Sequence, residues 1–264
     1  MCGRYAAAKD PDALVEEFEV DESLVDEPLA HDFNVAPTKR VYTVLQRRPK
    51  DSPAESAAPR QLRVAKWGLV PSWAKDPAIG SRMINARAET LADKPSYKRA
   101  FASRRCLLPA DGYYEWYTPD QAGDAPRTAK GKPRKQPFFI HSADGASLAM
   151  AGLYEWWHDP SRDKEDPDSW LLTTTVITTD ADETVAHIHD RMPLLIARTD
   201  WPTWLDPDLK DLDTLADLVA PGRGATLIAF PVSLAVNDVR HNGPELTEPL
   251  PLDDADHGID EPRA

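Results

Sequence analysis

The chain has 264 residues, enough for one large domain or two small ones, each with a hydrophobic core. No apolar run approaches the ~20 residues that a membrane span needs, and the amino terminus lacks the basic-then-apolar layout of a secretory signal. Its two cysteines, Cys2 and Cys106, are too few and too far apart for a disulfide framework, so we expect a cytoplasmic protein.

The predicted elements follow one another without a recognisable interdomain linker or internal repeat. Helices are predicted after Asp10-Pro11, over 96–104, from Asp180 through Ala186 by capping-box spacing, and over the acidic amphipathic stretch 206–219. Strands are predicted over 41–46, 62–70, 106–117 with an internal turn, 137–142, 147–157 and 171–178. Stretches 47–60 and 118–136 read as exposed loops. We expect one α+β domain over residues 1–250 and an acidic, disordered tail over 251–264.

The charge is unevenly distributed along the chain. A formal net charge of −13, with a pI of about 5.0, argues by itself against a nucleic-acid partner. However, residues 33–135 hold 21 Lys and Arg against 9 Asp and Glu, whereas the rest holds 10 against 35. We therefore expect the basic middle to form a DNA groove and the acidic flanks to face away from it. Asp outnumbers Glu about two to one, a bias that suggests a protein adapted to high salt, as in halophiles.

Cys2 directly follows the initiator Met, which methionine aminopeptidase removes when the second side chain is small. A chain-terminal cysteine presents an amine with a pKa of about 8 and a thiol with a pKa of about 8.5. This pair condenses with an aldehyde to a Schiff base and then closes a thiazolidine ring. Two other interpretations stay open at this point: an incidental cysteine, or the amide-cleaving nucleophile of class II glutamine amidotransferases, which also begin Met-Cys-Gly.

Nine sequence blocks occur in a fixed order from Cys2 to about Pro249. They are MCGRY (1–5), FNVAPT (33–38), WGLVPSWA (67–74), INARAET (84–90), ADGYYEW (110–116), AGLYEWW (151–157), IHDRMP (188–193), FPVS (230–233) and NDVRHNGPELTEP (237–249). Together they resemble the SRAP family (SOS-response-associated peptidase), the abasic-site-processing proteins. The resemblance implies a curved, mixed or antiparallel β-sheet with a barrel-like core and short flanking helices.

The resemblance also implies roles for individual residues. Cys2 is the crosslinking residue, and Asn85 hydrogen-bonds near it and near the opened sugar. Glu115 is the acid/base carboxylate; it lies between aromatic residues, where an unpaired structural carboxylate would be costly. His189 takes part in Schiff-base chemistry and in reversal of the crosslink, against the simpler alternative of a core histidine. Arg87, two residues after Asn85 on an extended strand, holds a DNA phosphate.

Further residues are predicted to contact DNA. Arg4 and Arg82 are candidate phosphate contacts or solvated charges, Asn34 and Pro37 shape the pocket wall, and Trp73 and Trp116 are candidates for stacking on bases or for wedging beside the lesion. Other tryptophans, namely Trp67, Trp156 and Trp157, are assigned to packing, and Cys106 is predicted to be an inert buried thiol. With neither a CxxC nor a His-x-x-x-His cluster, and no glycine-rich phosphate loop, we predict no metal site and no cofactor.

The implied function is covalent capture of abasic sites in single-stranded DNA, including single-strand/double-strand junctions, by a monomer. The Schiff base can also proceed by β-elimination, so AP-lyase activity is expected. Peptidase activity is expected to be limited to self-processing of Met1. Two rival classes remain: an N-terminal-nucleophile hydrolase of the amidotransferase type, and a non-covalent single-stranded nucleic-acid-binding module.

Overall fold

The computed structural model describes residues 2–49, 53, 56–119, 131, 133–220 and 224–251. These residues form thirteen strands: β1 Tyr5–Ala7, β2 Glu22–Ser23, β3 Asp32–Val35, β4 Arg40–Gln46, β5 Arg60–Trp67, β6 Asn85–Arg87, β7 Arg105–Ala110, β8 Gly112–Tyr117, β9 Gln136–Ser142, β10 Leu148–His158, β11 Trp170–Asp180, β12 Arg191–Pro193 and β13 Leu227–Pro231. The α-helices of the same residues are α1 Pro11–Glu17, α2 Pro95–Ser103, α3 Trp201–Leu205 and α4 Leu212–Leu218. Short 3-10 helices connect several of these elements.

Five strands close into a barrel in the order β11–β10–β7–β4–β5. Neighbours within this path are antiparallel, and a short parallel pairing of β5 with β11 closes the ring. β6 also pairs in parallel with β11, beyond the residues that pair with β5. The prediction of an α+β fold with a mixed, barrel-like sheet is therefore confirmed.

A second sheet, ordered β13–β9–β8–β1–β3, packs against the barrel. Alternating barrel residues divide between two cores because successive strand side chains point to opposite faces. On β10, Ala151 and Leu153 pack with the helices, whereas Met150 and Tyr154 pack into the core shared with the second sheet. Cys2 belongs to this shared core, which therefore positions the amino terminus between the two sheets.

Most predicted elements form close to their predicted positions. The segment after Asp10-Pro11 is α1, the segment 96–104 is α2, and 106–117 is the strand pair β7 and β8. Strand β5 ends at Trp67, before the predicted residue 70, because Gly68 turns the chain with a φ of +126°.

Two helix predictions fail in part. Asp180 does not cap a helix: it ends β11, and its carboxylate pairs with Arg191. The following residues form turns, in which Asp182 accepts the backbone N–H of Thr184 at 3.0 Å. The predicted helix 206–219 is shortened to α4, because Asp211 provides its N-cap by accepting the N–H of Thr214 at 3.0 Å.

Other predictions fall partly outside the described residues. β8 and β9 pair as an antiparallel hairpin, as expected of the strands flanking 118–136, but most of that loop lies outside the described residues, as do part of 47–60 and the tail 252–264. Within the described ranges, no helix is both long and apolar enough to cross a membrane.

Candidate active site

Cys2 lies at the start of the path into β1 and is fully buried. β1 is the fourth strand of the second sheet and pairs with β8, so that Tyr5 lies opposite Tyr113. Burial, reinforced by the negative charge of Glu115, raises the pKa of the Cys2 thiol well above its ordinary value. The thiol is therefore protonated at neutral pH, and its use as a nucleophile requires a base nearby.

Asn85 holds the backbone of Cys2. Its Nδ2 donates a hydrogen bond to the Cys2 carbonyl oxygen at 2.7 Å. The Asn85 carbonyl in turn accepts from the Tyr97 hydroxyl at 3.1 Å, and the preceding Ile84 carbonyl accepts from Trp67 Nε1 at 2.9 Å. Asn85 Oδ1 is buried and has no hydrogen-bond partner among the described residues, so it keeps an unused acceptor on the residue that holds Cys2.

A close approach of two glycines positions β6 next to Cys2. Gly80, in the 3-10 helix Pro77–Arg82, lies against Gly68 after β5. A Cβ at either position would lie 2.5 Å from the other residue's carbonyl oxygen. Only two glycines allow this approach, and it directs the chain into β6, where Asn85 pairs with Val176 of β11.

Glu115 lies on β8, two residues after Tyr113 and on the same face of the strand. Its side chain is buried, with the residue 4% exposed, and burial raises its pKa to about 7. At neutral pH the carboxyl is thus divided between its acid and carboxylate forms, which suits both proton donation and proton acceptance.

His189 ends the turn that follows β11. Val185 and Ile188 of this turn pack into the same core as Cys2. His189 Nδ1 accepts the backbone N–H of Arg191 at 3.0 Å and also lies 2.9 Å from Asp190 Oδ1. An Nδ1 that carried a proton, in a neutral or a charged ring, could donate to Asp190 but could not accept from Arg191, and burial lowers the pKa of His189. We therefore assign a neutral ring that carries its proton on Nε2.

Three residues predicted to contact DNA bind the carboxy-terminal segment. Asn34 is fully buried and donates to three carbonyls of residues 236–241. Arg4 donates to Asn34 Oδ1 at 2.6 Å and lies 5.9 Å from the centroid of the Trp116 ring. Trp116 Nε1 donates to Asn237 Oδ1 at 2.7 Å. These contacts anchor the closing sequence blocks, and DNA contact by the three residues stays a prediction.

The remaining predicted DNA contacts differ in exposure. Arg82 and Arg87 are exposed beside β6, and Trp73 is 59% exposed in the loop after β5. Pro37 is half-buried in the turn before β4. These positions are compatible with contact to a strand, which nothing in the structure tests. The prediction of packing roles holds for Trp67 and Trp157, which are buried, and for Trp156, which is partly buried and packs against the core that contains Cys2. Cys106 is a free, buried cysteine.

Two site residues were not predicted from the sequence. Tyr97 supports Asn85, and Tyr113 is fully buried near Cys2 and Glu115, whose charges reinforce the effect of burial in raising its pKa. The strand alternation in ADGYYEW carried the signal for Tyr113, because residues two apart share a face. Nothing local marks Tyr97, which reaches the site from α2. Among the described residues, no group of His, Cys, Asp and Glu is arranged to hold a metal ion.

A barrel and a second sheet that enclose an amino-terminal cysteine between them define the structural class of this chain. The chain belongs to the SRAP family: the profile of "SOS response associated peptidase (SRAP)" matches residues 1–239. It is 37% identical over 248 residues to the abasic site processing protein YoqW of Bacillus subtilis, covering 94% of this chain and 99% of that protein. The abasic site processing protein YedK of Escherichia coli is 29% identical, with 95% and 100% covered.

The solved structures support the same fold. A protein from Bacteroides thetaiotaomicron superposes with a TM-score of 0.71 at 22% identity, covering 94% of this chain and all of that one. A phage-related protein from Bordetella bronchiseptica gives 0.60 at 27% identity, with 88% and 94% covered.

Proposed function

We propose that this protein captures abasic sites in single-stranded DNA covalently, through a thiazolidine formed by Cys2 after removal of Met1. The observation that carries the proposal is the hydrogen bond of 2.7 Å from Asn85 to the Cys2 carbonyl, in a core that also brings Glu115 near the thiol. The relatives named abasic site processing proteins support the choice of substrate.

The reaction begins at the opened sugar. The Cys2 amine adds to the deoxyribose aldehyde, and loss of water gives the Schiff base. The Cys2 sulfur then bonds to the imine carbon as the thiol proton is removed, and the imine nitrogen gains a proton. No oxidant or cofactor is needed for this sequence. The resulting ring resists hydrolysis better than the imine does and keeps the protein on the damaged strand.

Glu115 serves the proton transfers. As the acid it protonates the ring oxygen of the sugar during opening, and as the carboxylate it accepts the thiol proton. A pKa of about 7 lets one group do both near neutrality. His189 acts as a donor through Nε2, since Nδ1 already accepts from Arg191. Asn85 holds the nucleophile's backbone in place, and its free Oδ1 accepts from the amine or the sugar hydroxyl.

The same Schiff base permits a lyase side reaction. If a base removes the proton next to the imine carbon before sulfur attacks, the 3′ phosphate leaves by β-elimination. A buried thiol beside the imine favours ring closure over this step. We further propose that peptidase activity is restricted to removal of Met1. The protein acts as a monomer in the cytoplasm, where the two free cysteines stay reduced.

DNA contact is assigned to the residues around the site. Arg87 and Arg82 hold phosphates, and Trp73 stacks on a base or on the end of a duplex at a junction. Arg4, Trp116 and Pro37 form a further part of the pocket wall, and the buried Asn34 supports this wall by accepting from Arg4. Arg4 and Trp116 are only half-buried and are available to DNA while they hold residues 236–241.

The decisive experiment uses an oligonucleotide with one abasic site and a denaturing gel. Wild-type protein should form a heat-stable adduct, and Cys2→Ala should form none while retaining reversible binding. Cys2→Ser should give at most a labile adduct, because an oxazolidine opens more readily. A denaturation-resistant adduct with Cys2→Ala would refute the mechanism. Glutamine hydrolysis without any adduct would favour the amidotransferase class, and reversible binding alone would favour a non-covalent module.

The mechanism also requires a free Cys2 amine. Mass spectrometry of the purified active protein should show loss of Met1. The adduct should map to the amino-terminal peptide that begins with Cys2. If fully active protein retains Met1, the amine is blocked in a peptide bond and the thiazolidine cannot form.

A further inference from the structure

The barrel opens at its closing seam. β5 and β11 pair only through Lys66 with Thr173 and Trp67 with Thr174, while β2 pairs with Gln61 and Leu62 of β5. Between these pairings, β5 and β11 separate from each other. They leave a groove of about 480 Å³ between residues 63–66 of β5 and 170–172 of β11.

Three cations line this groove, with Lys66 and Arg63 on opposite faces of β5 because they are three residues apart. Arg40 and Lys66 lie directly opposite each other on β4 and β5, and Arg63 lies further along β5. Within the described part of the chain, none of the three has a carboxylate within ion-pair distance; Arg63 Nε donates instead to the neutral side chain of Gln61 at 2.9 Å. The acidic groups that face them are Asp26 and Glu27, on the rim formed after β2, and Glu22 of β2, whose charge acts on Arg63 and whose carboxylate accepts from Gln61 at 2.9 Å.

Aromatic rings also line the groove. Two guanidinium groups lie against the Trp156 ring, Arg47 at 5.3 Å and Arg63 at 5.6 Å from its centroid. Trp170 is 42% exposed although it is a large apolar side chain on a strand. In a protein with a net charge of −13, two like charges held together on one indole form an unusual local concentration of positive charge.

The groove lies away from the active site, but β11 passes both. Along β11, six residues separate Trp170 from Val176, the residue that pairs with Asn85, and this spacing corresponds to about 20 Å. The Arg40 and Lys66 pair lies at the end of the groove nearer to the site. A strand held at Cys2 would therefore reach the groove several nucleotides from the lesion.

We propose that this seam groove binds undamaged single-stranded DNA that flanks the captured site. The cations, which have no carboxylate within ion-pair distance among the described residues, match the phosphates, and the exposed indole of Trp170 offers a stacking surface for a base. A nucleic-acid strand fits these features better than an acidic peptide, because it presents both phosphates for the cations and flat bases for the indole ring. The inference goes beyond lesion capture, since the groove would bind a strand with no abasic site.

The test compares undamaged oligonucleotides of about 6 and about 20 nucleotides by fluorescence anisotropy. Arg63→Gln and Trp170→Ala should each raise the Kd for the long strand about tenfold and leave the short-strand Kd unchanged. The matched control is Arg198→Gln, because Arg198 also stacks on an indole, at 5.8 Å from Trp201, but lies outside the groove. Thermal unfolding of each variant should establish that it is folded at the assay temperature.

The outcomes separate this proposal from the proposed function. If wild-type protein forms no adduct but both groove variants lose long-strand affinity, the groove proposal stands alone. Unchanged long-strand affinity in two folded variants would overturn it. An equal loss for both lengths would also overturn it, because the residues would then act at the lesion. A third outcome concerns poly-glutamate as a competitor of DNA. If the variants no longer respond to poly-glutamate but keep their affinity for DNA, the groove binds an acidic protein partner instead.

Discussion

Two Tyr-Glu-Trp triplets in this chain have different environments. Glu155 Oε2 accepts from Arg104 at 2.8 Å in a partly buried ion pair on the barrel. Burial is the largest influence on both carboxyls and raises the pKa of each, but Arg104 opposes it at Glu155, whereas at Glu115 the pKa rises to about 7. The local sequence of the triplets is the same, so only the surrounding strands distinguish a structural carboxylate from one prepared for proton transfer.

This contrast provides a matched test of Glu115. We expect Glu115→Gln to slow adduct formation about 10²- to 10⁴-fold, the range for loss of one acid/base group, because the amide keeps the shape but transfers no proton. Glu155→Gln should lower the melting temperature with little effect on the rate. The measurement is single-turnover adduct formation at saturating protein.

The pH dependence has a defined sign. If sugar opening needs the acid form of Glu115, the wild-type rate should fall as the pH rises through about 7, and Glu115→Gln should lack this fall. Stability provides an independent check. A pKa raised on folding contributes stability below the unfolded value of about 4.3, and this contribution is lost as the pH rises through about 7. The Gln variant should therefore gain stability relative to wild type over that window. If the pH–rate profiles of wild type and Glu115→Gln are identical, Glu115 takes no part in the proton transfers.

At the scale of elements, the active site depends on the position of β6 relative to Cys2. The Gly68–Gly80 approach leaves no room for a Cβ, so Gly80→Ala must push β6 and Asn85 away from Cys2. We expect a loss of about 1–3 kcal/mol in stability and a larger relative loss in adduct rate. A suitable control is Gly145→Ala, at a turn with a φ of +75° and open space, where only backbone strain arises.

The outcome that would contradict this account is specific. If Gly80→Ala and Gly145→Ala lose similar stability and both keep the wild-type adduct rate, the glycine pair serves folding alone. A crystal structure of Gly80→Ala would show whether the Asn85–Cys2 hydrogen bond persists.

Local patterns were sufficient to predict most elements but not their assembly. Strands β7 and β8 and helices α1 and α2 follow from periodicity and from Pro near a helix start. The capping-box prediction at Asp180 failed because strand pairing with β12 outweighed the cap. The barrel closure joins strands more than 100 residues apart, and no local signal specifies such a pairing.

The candidate site, too, was predicted in part: its residues were inferred from the sequence, but their tertiary contacts were not. Cys2, Asn85, Glu115 and His189 were inferred from ordered sequence blocks, and the structure gives each of the four a position in or next to one core. The tertiary role of Asn34 was not foreseen, since its three acceptors lie about 200 residues away in sequence. Contacts of that kind depend on the folded topology, which the residue's neighbours in sequence do not encode.

For the whole molecule, the basic excess of residues 33–135 overstates the charge available to DNA. Arg60 and Arg105 are buried, and both donate to backbone carbonyls in the core. Arg104 is committed to Glu155. The cations left for phosphate contact include those at the seam groove, Arg40, Arg63 and Lys66, and those beside β6, Arg82 and Arg87.

Because few cations are available to phosphates, we expect reversible binding and covalent capture to depend differently on salt. Each phosphate neutralised on a single strand contributes a slope of about −0.7 to the log–log plot of affinity against salt, so reversible binding should fall steeply. Stacking and the covalent bond from Cys2 do not depend on counterion release. At saturating protein, the adduct yield should therefore persist at salt concentrations that abolish reversible binding. Both signals are to be titrated with one oligonucleotide length, with the fold monitored by circular dichroism. If adduct yield and reversible affinity fall in parallel while the protein stays folded, retention rests on electrostatics and the interpretation of the acidic composition as an adaptation to high salt is wrong.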